Sequence, residues 1–392
     1  MQVTSLHLQD FRNYEELTLT LAPTLNIFLG PNAQGKTNIL ESIYYASITH
    51  SHRTRQDNDL IRFEQPAGHV QLAFSRAGVM NRIDIDLPRH GRRKIMRNGQ
   101  PTRPRDLIGC LTTVLFSPED LALVKGAPAL RRRFLDSEIS QASPAYCHEL
   151  LTYNHLLAQR NTLLKRIREN HSPQTLLEPW DAQLAASAAK ITRKRQAAVQ
   201  KLQAIANEMQ RDISGSKETL ALAYEIHGRE ENVTTSKKTD APEQNARPEE
   251  MPPAAAQVTE RLELWYNKKL EARRALDILR GVTSVGPHRD DLALRVSGID
   301  LRAYGSQGQQ RTAALAMKLA ELAFLHEETG EYPVLLLDDV MSELDADRRT
   351  ALLAFLAQER IQTIITATDA AYFPKEDFGT VYRVKEGRVT QA

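Results

Sequence analysis

Leu25-Asn26-Ile27-Phe28-Leu29-Gly30-Pro31-Asn32-Ala33-Gln34-Gly35-Lys36-Thr37-Asn38-Ile39-Leu40 decides how the chain is read. Leu25 to Leu29 is a short apolar run of the kind that forms a buried strand, and it stops at a glycine. From Asn38 onward, Ile39, Ile43 and Ala46 recur at helical spacing. Gly30 to Thr37 therefore lies between a strand and a helix, and it satisfies the pattern G-x-x-x-x-G-K-[ST]. Average residue frequencies produce such a stretch in about one chain in a hundred of this length, so chance is a poor explanation. Glycines let a loop there fold back until successive N–H groups and the positive helix end face phosphate oxygens. Lys36 is then set to meet the β- and γ-phosphates of a nucleotide, and the Thr37 hydroxyl to complete a magnesium shell.

Such a loop needs a second carboxylate for the metal, held rigidly on an apolar strand, which is expected beside the first. Val334-Leu335-Leu336-Leu337-Asp338-Asp339 supplies it. Asp338 is expected to hold magnesium directly or through water, and Asp339, pointing differently, to orient or deprotonate the attacking water. Most of the chain separates Lys36 from Asp338, more than one nucleotide core requires, so a helical insertion must interrupt that core. Between them, Tyr304-Gly305-Ser306-Gln307-Gly308-Gln309-Gln310-Arg311 precedes a helix apolar on most faces. A serine hydroxyl and free N–H groups at a helix start form another anion site. One chain cannot easily bring two such sites to one γ-phosphate. The economical arrangement is two copies, head to tail, with Ser306 of each capping the nucleotide on the other's Lys36 loop. A plain N-capped core helix would show the same residues.

The chain has 392 residues, about two and a half domains at roughly 150 residues each. Its 51 Lys and Arg against 49 Asp and Glu leave +2, which argues against a wholesale polyanion binder, so any nucleic-acid contact must come from local charge. Two cysteines, Cys110 and Cys147, exclude a disulfide framework and offer no zinc pattern. The first residues lack a signal pattern, and no apolar run approaches the roughly 18 residues that span a bilayer. These features predict a soluble cytoplasmic protein with no membrane partner.

Alternation predicts strands around Val3 to His7 and Leu17 to Leu21, and three more within residues 69–98, the last ending in the hairpin signal Asn98-Gly99. Tyr146, Leu150, Tyr153, Leu157, Leu164 and Ile167 fall near a heptad seam. So do Trp180, Leu184, Ile191, Leu202, Met209 and Ile213, beyond a break at Ser172-Pro173. This predicts two antiparallel helices over about 144–213, either a short projecting arm or an ordinary helical core. Residues 228–257 lack aromatics and nearly all large aliphatics, so a disordered insertion is expected, with a helix resuming near Thr259. From Val285 the order is strand, helix, strand, helix, strand, closed by a hairpin at Glu386-Gly387. The fold class is mixed α/β. Residues 1–120 and 285–392 form the nucleotide lobe from both chain ends, and 121–284 form an inserted helical lobe.

Residues 89–105 carry Arg89, Arg92, Arg93, Lys94, Arg97, Arg103 and Arg105 and no acid. On a hairpin several can point one way and neutralise adjacent phosphates, although a charge run is ordinarily a solvated face. No aromatics interleave, which favours duplex backbone contact over base stacking. Arg131 to Arg133 form a second cluster, equally well explained by pairs with Asp136 and Glu138. His288-Arg289-Asp290-Asp291 offers one His without a second partner at ligand spacing, so an ion-pair network is expected there, not a metal.

Together these residues resemble the ABC-type ATPase heads of the structural-maintenance-of-chromosomes group, and most closely the RecF family of bacterial recombination mediators. The resemblance covers nearly the whole chain. It is carried by Asp10-Phe11-Arg12-Asn13-Tyr14, the Gly30 to Thr37 loop, Phe116-Ser117-Pro118-Glu119-Asp120, Val124 to Pro128, Arg131 to Asp136, Gly286 to Asp291, the Ser306 segment, and Leu337 to Asp345. It implies ATP and Mg2+ as cofactors, Arg12 near the nucleotide, Ser306 as the signature serine, and Ser342 to Asp345 as the loop linking two nucleotide sites across a dimer. It also implies an ATP-dependent homodimer on duplex DNA near gaps or junctions. A RecR-type mediator and, indirectly, a RecA-type recombinase are the implied protein partners, with roles in recombinase loading and SOS induction.

Three departures from the wider ABC pattern predict slow turnover. Asp339 stands where Glu is usual, Thr366-Ala367-Thr368-Asp369 lacks the expected switch His, and Phe116 to Asp120 contains no Gln. The resulting expectation is a slow DNA-dependent ATPase acting as a switch, with no chemical conversion of DNA. A transporter motor lacks a membrane partner in this chain. A long-armed tether needs arms far beyond the roughly 40 to 60 Å available to helices of about 25 to 40 residues.

Overall fold

A computed structural model describes residues 1–229, 255–373 and 379–391. The chain forms two compact units. One comprises Met1–Cys147, Gln200–Leu222 and Leu294–Ala392; the other comprises His148–Val199 and Ala223–Ala293. Whereas the sequence places junctions after 120 and 284, helices Leu121–Lys125 and Pro128–Ala142 pack on helix Gln307–Thr329 within the first unit. Their buried Leu123, Val124, Leu135 and Ile139 account for this, since a buried helix needs apolar cover.

The first unit contains two six-stranded sheets. In the antiparallel one the order is Tyr14–Thr20, Gln2–Phe11, Ala67–Arg76, Val79–Pro88, Lys94–Arg97, Gln100–Pro101. Val70, Leu72 and Phe74 turn inward and alternate with His69 and Gln71, the period of a half-solvated sheet. Asn98 and Gly99 have φ of 50° and 78°, as a two-residue hairpin with both central residues left-handed demands.

The second sheet runs Arg388–Gln391, Thr380–Lys385, Leu25–Leu29, Thr363–Ala367, Val334–Asp338, Thr113–Phe116, parallel except for the closing hairpin. Strands from both chain ends thus meet. Burial of Val334 to Asp338 along its whole length explains why that strand reads as a continuous apolar run. The expectation that it lies beside Leu25–Leu29 is corrected: Thr363–Ala367 lies between them, pairing with each. Phe28, Leu336 and Ile364 join the sheet to a core shared with Leu8, Phe74 and Ile43, and each such fully buried side chain contributes about 1.5 to 3 kcal/mol.

The two expected helices, Pro144–Arg168 and Leu177–Ser214, run antiparallel where residues 148–168 and 177–199 build the second unit, with Arg160 Nε on Asp181 Oδ1 at 2.7 Å and Ser187 Oγ on Glu149 Oε1 at 2.7 Å. A third helix, Ala255–Arg280, packs along both. Arg160 Nη1 reaches Asp277 Oδ2 at 2.9 Å, Arg274 Nη2 reaches Asp181 Oδ2 at 2.8 Å, and Thr192 bonds Tyr266 at 2.7 Å. Residues 230–254, most of the insertion expected at 228–257, lie outside the described residues. The end of that expectation is corrected, because the helix begins at Ala255, a turn before Thr259.

Candidate nucleotide site

Strand register builds the acidic end of the site. Asp338 stands opposite Thr366 on the interposed strand. Asp338 Oδ1 accepts from Thr37 Oγ1 at 2.8 Å and from Thr366 Oγ1 at 2.7 Å, while the Thr366 hydroxyl accepts from Asp339 N at 2.9 Å. Thr366, in the segment where a switch His is wanting, therefore orders both acids, a role that no local pattern announces. Asp339 takes φ 53° and ψ 22°, a left-handed conformation costly for a residue other than glycine. Its Oδ1 is buried with no hydrogen-bond partner among the described residues. Burial pushes the Asp339 carboxyl up, opposed by the Lys36 ammonium and the Ser342 hydroxyl.

Lys36, only 6% exposed, donates from Nζ to Gly30 O at 2.6 Å and Pro31 O at 2.7 Å. Burial lowers its pKa against the pull of Asp339 and Asp338. Two glycines in the loop are required by space. A Cβ on Gly30 would lie 2.3 Å from Val384 O, and one on Gly35, at φ 109°, would lie 2.5 Å from Asn13 Nδ2. Asn13 Nδ2 donates to Gln34 O at 3.1 Å, Tyr14 OH to Gly35 O at 3.1 Å, and Glu386 N to Gln34 Oε1 at 2.6 Å. The loop is thus held by residues from both ends of the chain, and its tip, Pro31 to Ala33, is exposed.

Arg12 lies in the turn between the first two strands with all three nitrogens bonded: Nε and Nη2 to Glu41 at 2.8 and 2.7 Å, and Nη1 to Asp59 O at 2.7 Å. Glu41 is fully buried on helix Lys36–Ile48 and also accepts from Ser51 Oγ at 2.5 Å and Arg53 Nη1 at 3.3 Å. Burial alone would raise the Glu41 carboxyl, but hydrogen bonds from Arg12 and Ser51 and the two guanidinium charges hold it below the ordinary value. Sequence reading assigned Glu41 and Arg53 no part, because a partner set this scattered leaves no pattern.

Ser306 caps helix Gln307–Thr329. Its Oγ accepts from Gln309 N at 3.2 Å, and Gln309 Oε1 accepts from Ser306 N at 3.0 Å, a capping box. The residue is exposed, with its own hydroxyl hydrogen still available to donate. Ser342 Oγ donates to Asp339 O at 2.8 Å, and Asp345 Oδ1 accepts from Arg348 N at 2.9 Å at the start of helix Ala346–Gln358.

Beneath Ser117 to Asp120 lies a buried charge cluster that the sequence did not foretell. Lys318 Nζ is 2.5 Å from Glu321 and 4.0 Å from Asp120. Burial, then the facing Glu321, pushes the Glu138 carboxyl well up and favours its neutral acid.

The seven cations of 89–105 divide. Arg93 Nη1 donates to Tyr45 OH, Thr49 O and Asp57 at 2.8, 2.7 and 3.1 Å, Arg89 to Gln65 O and Arg62 O, Arg97 to Asn81 Oδ1, and Arg105 pairs with Asp106. Arg92, Lys94 and Arg103 are exposed and have no acidic partner among the described residues. Of the second cluster, Arg131 is buried and donates to Gly126 O at 3.0 Å. His288 Nδ1 bonds Tyr153 OH at 2.6 Å, and Asp290 accepts from Tyr224 OH at 2.7 Å and His227 N at 2.9 Å, all within the helical unit.

The donor set at Thr37, Asp338 and Asp339 is all oxygen, with one orphaned carboxylate oxygen, and fits a hard divalent cation such as Mg2+. Among the described residues no group of three or more His, Cys, Asp or Glu could hold a metal alone. Mg2+ commonly takes only one or two carboxylates together with substrate phosphates, so this set suffices. No helix among the described residues is long and apolar enough to cross a membrane.

Residues 2–390 match the RecF/RecN/SMC N terminal domain family. The chain is 42% identical to the DNA replication and repair protein RecF of Halothermothrix orenii, over 100% of this chain and 99% of that protein. It is 41% identical to RecF of Heliobacterium modesticaldum over 100% of both. A solved structure of the recombination mediator RecF with ATP, in the RecFOR pathway, superposes with a TM-score of 0.85 at 33% identity, covering 100% of this chain and 97% of that one. An Smc head bound to the C-winged helix domain of ScpA shares the fold, with a TM-score of 0.56 at 13% identity over 100% of this chain and 97% of that chain. A phosphate loop clasped by both chain ends, two acids ordered through one threonine and full-length likeness to these relatives lead to one conclusion: the chain belongs to the RecF family, within the RecF/RecN/SMC group.

Proposed function

We propose that this chain is an ATP-dependent DNA-binding recombination mediator in DNA repair and replication, acting in the cytoplasm. In this reading residues 30–37 cradle the phosphates and Lys36 leaves its own loop carbonyls to meet the β- and γ-phosphates. Mg2+ would be held by Thr37 and Asp338 and would supply charge neutralisation on the phosphates. Asp339, with a raised pKa and an unpartnered oxygen, orients and deprotonates water. The Arg12 guanidinium exchanges part of its hold on Glu41 for the nucleotide.

Two copies close head to tail in the ATP-bound state, each presenting Ser306 to the other's phosphate loop, with Ser342 to Asp345 linking the sites. Hydrolysis is slow and DNA-dependent, and it reopens the pair without altering DNA. Duplex DNA near gaps or junctions is contacted through Arg92, Lys94 and Arg103, the cations of the 89–105 hairpin left without acidic partners. The protein partners in this reading are a RecR-type mediator and, through it, a RecA-type recombinase, in recombinase loading and SOS induction. Both chain ends form the nucleotide lobe and the three-helix unit is the helical lobe.

The observation that carries the reading is the convergence of Thr37, Asp338, Thr366 and Asp339 within hydrogen-bond distance beside a phosphate loop. Its test is duplex binding by fluorescence anisotropy, with ATP and Mg2+ and without. ATP-dependent, salt-sensitive binding, lost in Lys36→Ala, is the expected outcome; binding equal with and without ATP would refute the switch.

A further inference from the structure

We infer that the helical unit carries a phosphate-binding face of its own, built on helix Ala255–Arg280, that grips the backbone of duplex DNA. This rests on the reading above that the chain binds DNA. A small pocket of about 130 Å³ is lined by His227, Gly228, Lys269, Arg273, Leu276, Arg280, Ser284 and Val285, and no carboxylate lines it. Its size suits one phosphate group and is too small for a nucleoside. The nearby acids are turned inward: Asp277 binds Arg160 at 2.9 Å and Ser284 Oγ at 2.6 Å, and Asp290 binds Tyr224 at 2.7 Å.

Lys269, Arg273, Leu276 and Arg280 are spaced by four, three and four residues and share one helix face. Arg273 and Arg280 are exposed and, among the described residues, neither has an acidic partner; Lys269 rests 5.8 Å over the Trp265 ring. At the end of the stripe, the Lys165 and Arg168 side chains lie against the turn at Gly281. A helix C-terminus attracts cations, which accounts for Arg280. It does not account for Lys269 and Arg273, which stand two and more turns from that end. The stripe is about 16 Å long, and one DNA strand presents a phosphate about every 3.4 Å of axis, so several phosphates fall within reach. Trp265 is engaged by the Arg229 and Lys269 cations, at 5.9 and 5.8 Å from its ring centroid, and does not line the pocket. The face therefore binds by charge without reading sequence.

The test uses the full chain with ATP and Mg2+ and a short labelled duplex, titrated at several salt concentrations. Arg273→Gln/Arg280→Gln is expected to weaken binding about tenfold at low salt and to reduce the slope of log affinity against log salt by about two. Arg273→Lys/Arg280→Lys is expected to keep the slope. Unchanged affinity and slope in the Gln pair, while the wild type binds, would overturn this inference alone. Equal losses in the Gln and Lys pairs would overturn it in favour of packing. Loss of binding to a poly-glutamate peptide with duplex binding intact would overturn it in favour of an acidic protein partner. Failure of the wild type to bind duplex would overturn both this inference and the DNA-binding reading.

Discussion

The phosphate-loop end and the Ser306 end of the first unit use similar chemistry under opposite conditions. At the loop, Thr37, Asp338 and Thr366 bond one another across strands drawn from distant parts of the sequence, and Lys36 is almost wholly buried. At Ser306, the exposed start of a long buried helix is engaged by the helix's own capping box, whose Gln309 also donates to Glu218 Oε1 at 3.1 Å. The first region is completed within one chain. In the proposed function the second is an anion site with no phosphate loop of its own, the condition that a head-to-tail pair would satisfy. Lesions in the first region should therefore appear in a single chain, and lesions in the second only when two chains meet.

The largest effect is expected from Arg12→Ala, which leaves the buried Glu41 carboxylate without its bidentate partner and should cost about 3 to 5 kcal/mol in a denaturant melt. The same pair sets a pH dependence. Glu41 is held below its ordinary 4.5 in the folded state, so its contribution is present above that value and lost as pH falls through the folded value. Glu41→Gln should flatten the acid limb of a thermal-melting profile, and an unchanged limb would show that other carboxylates govern it. Lys36→Ala should reduce steady-state phosphate release about 10² to 10³-fold by removing charge stabilisation at the transferred phosphoryl group.

Next comes Thr366→Val, which strips Asp338 of a donor and Asp339 N of an acceptor. A stability loss of about 1 to 3 kcal/mol is expected, with slower turnover at unchanged oligomeric state. If turnover were unaffected, the ordering of the two acids would not matter to hydrolysis. Smallest in the isolated chain is Ser306→Arg. Nucleotide affinity by equilibrium dialysis should stay within about threefold, because a capping change at an exposed helix start costs only about 1 kcal/mol.

The same contrast explains what the sequence could and could not disclose. Gly30 to Thr37 and Val334 to Asp339 were legible because each is a local pattern whose neighbours decide its structure. Asn98-Gly99 was legible for the same reason, since its turn demands left-handed residues. Thr366 was not, because its importance arises from a register between strands that no local signal specifies. Its strand also intervenes where direct neighbours were expected, a matter of topology decided by the whole sheet. The third helix of the helical unit was legible as a helix resuming near Thr259, but its packing along the other two was not, since a seam of apolar residues does not say how many helices face it. The run of cations at 89–105 looked uniform, yet hairpin pairing brings Arg93 against Asp57 and leaves Arg92 and Lys94 in solvent.

Sedimentation velocity of the wild type and of Ser306→Arg, each with ATP and Mg2+ and each without nucleotide, tests the central claim most directly. The expected result is a wild-type monomer that becomes a dimer only with ATP, and a Ser306→Arg chain that binds ATP yet stays monomeric. A wild type that remains monomeric with ATP bound, or a Ser306→Arg chain that dimerises as readily as the wild type, would contradict it.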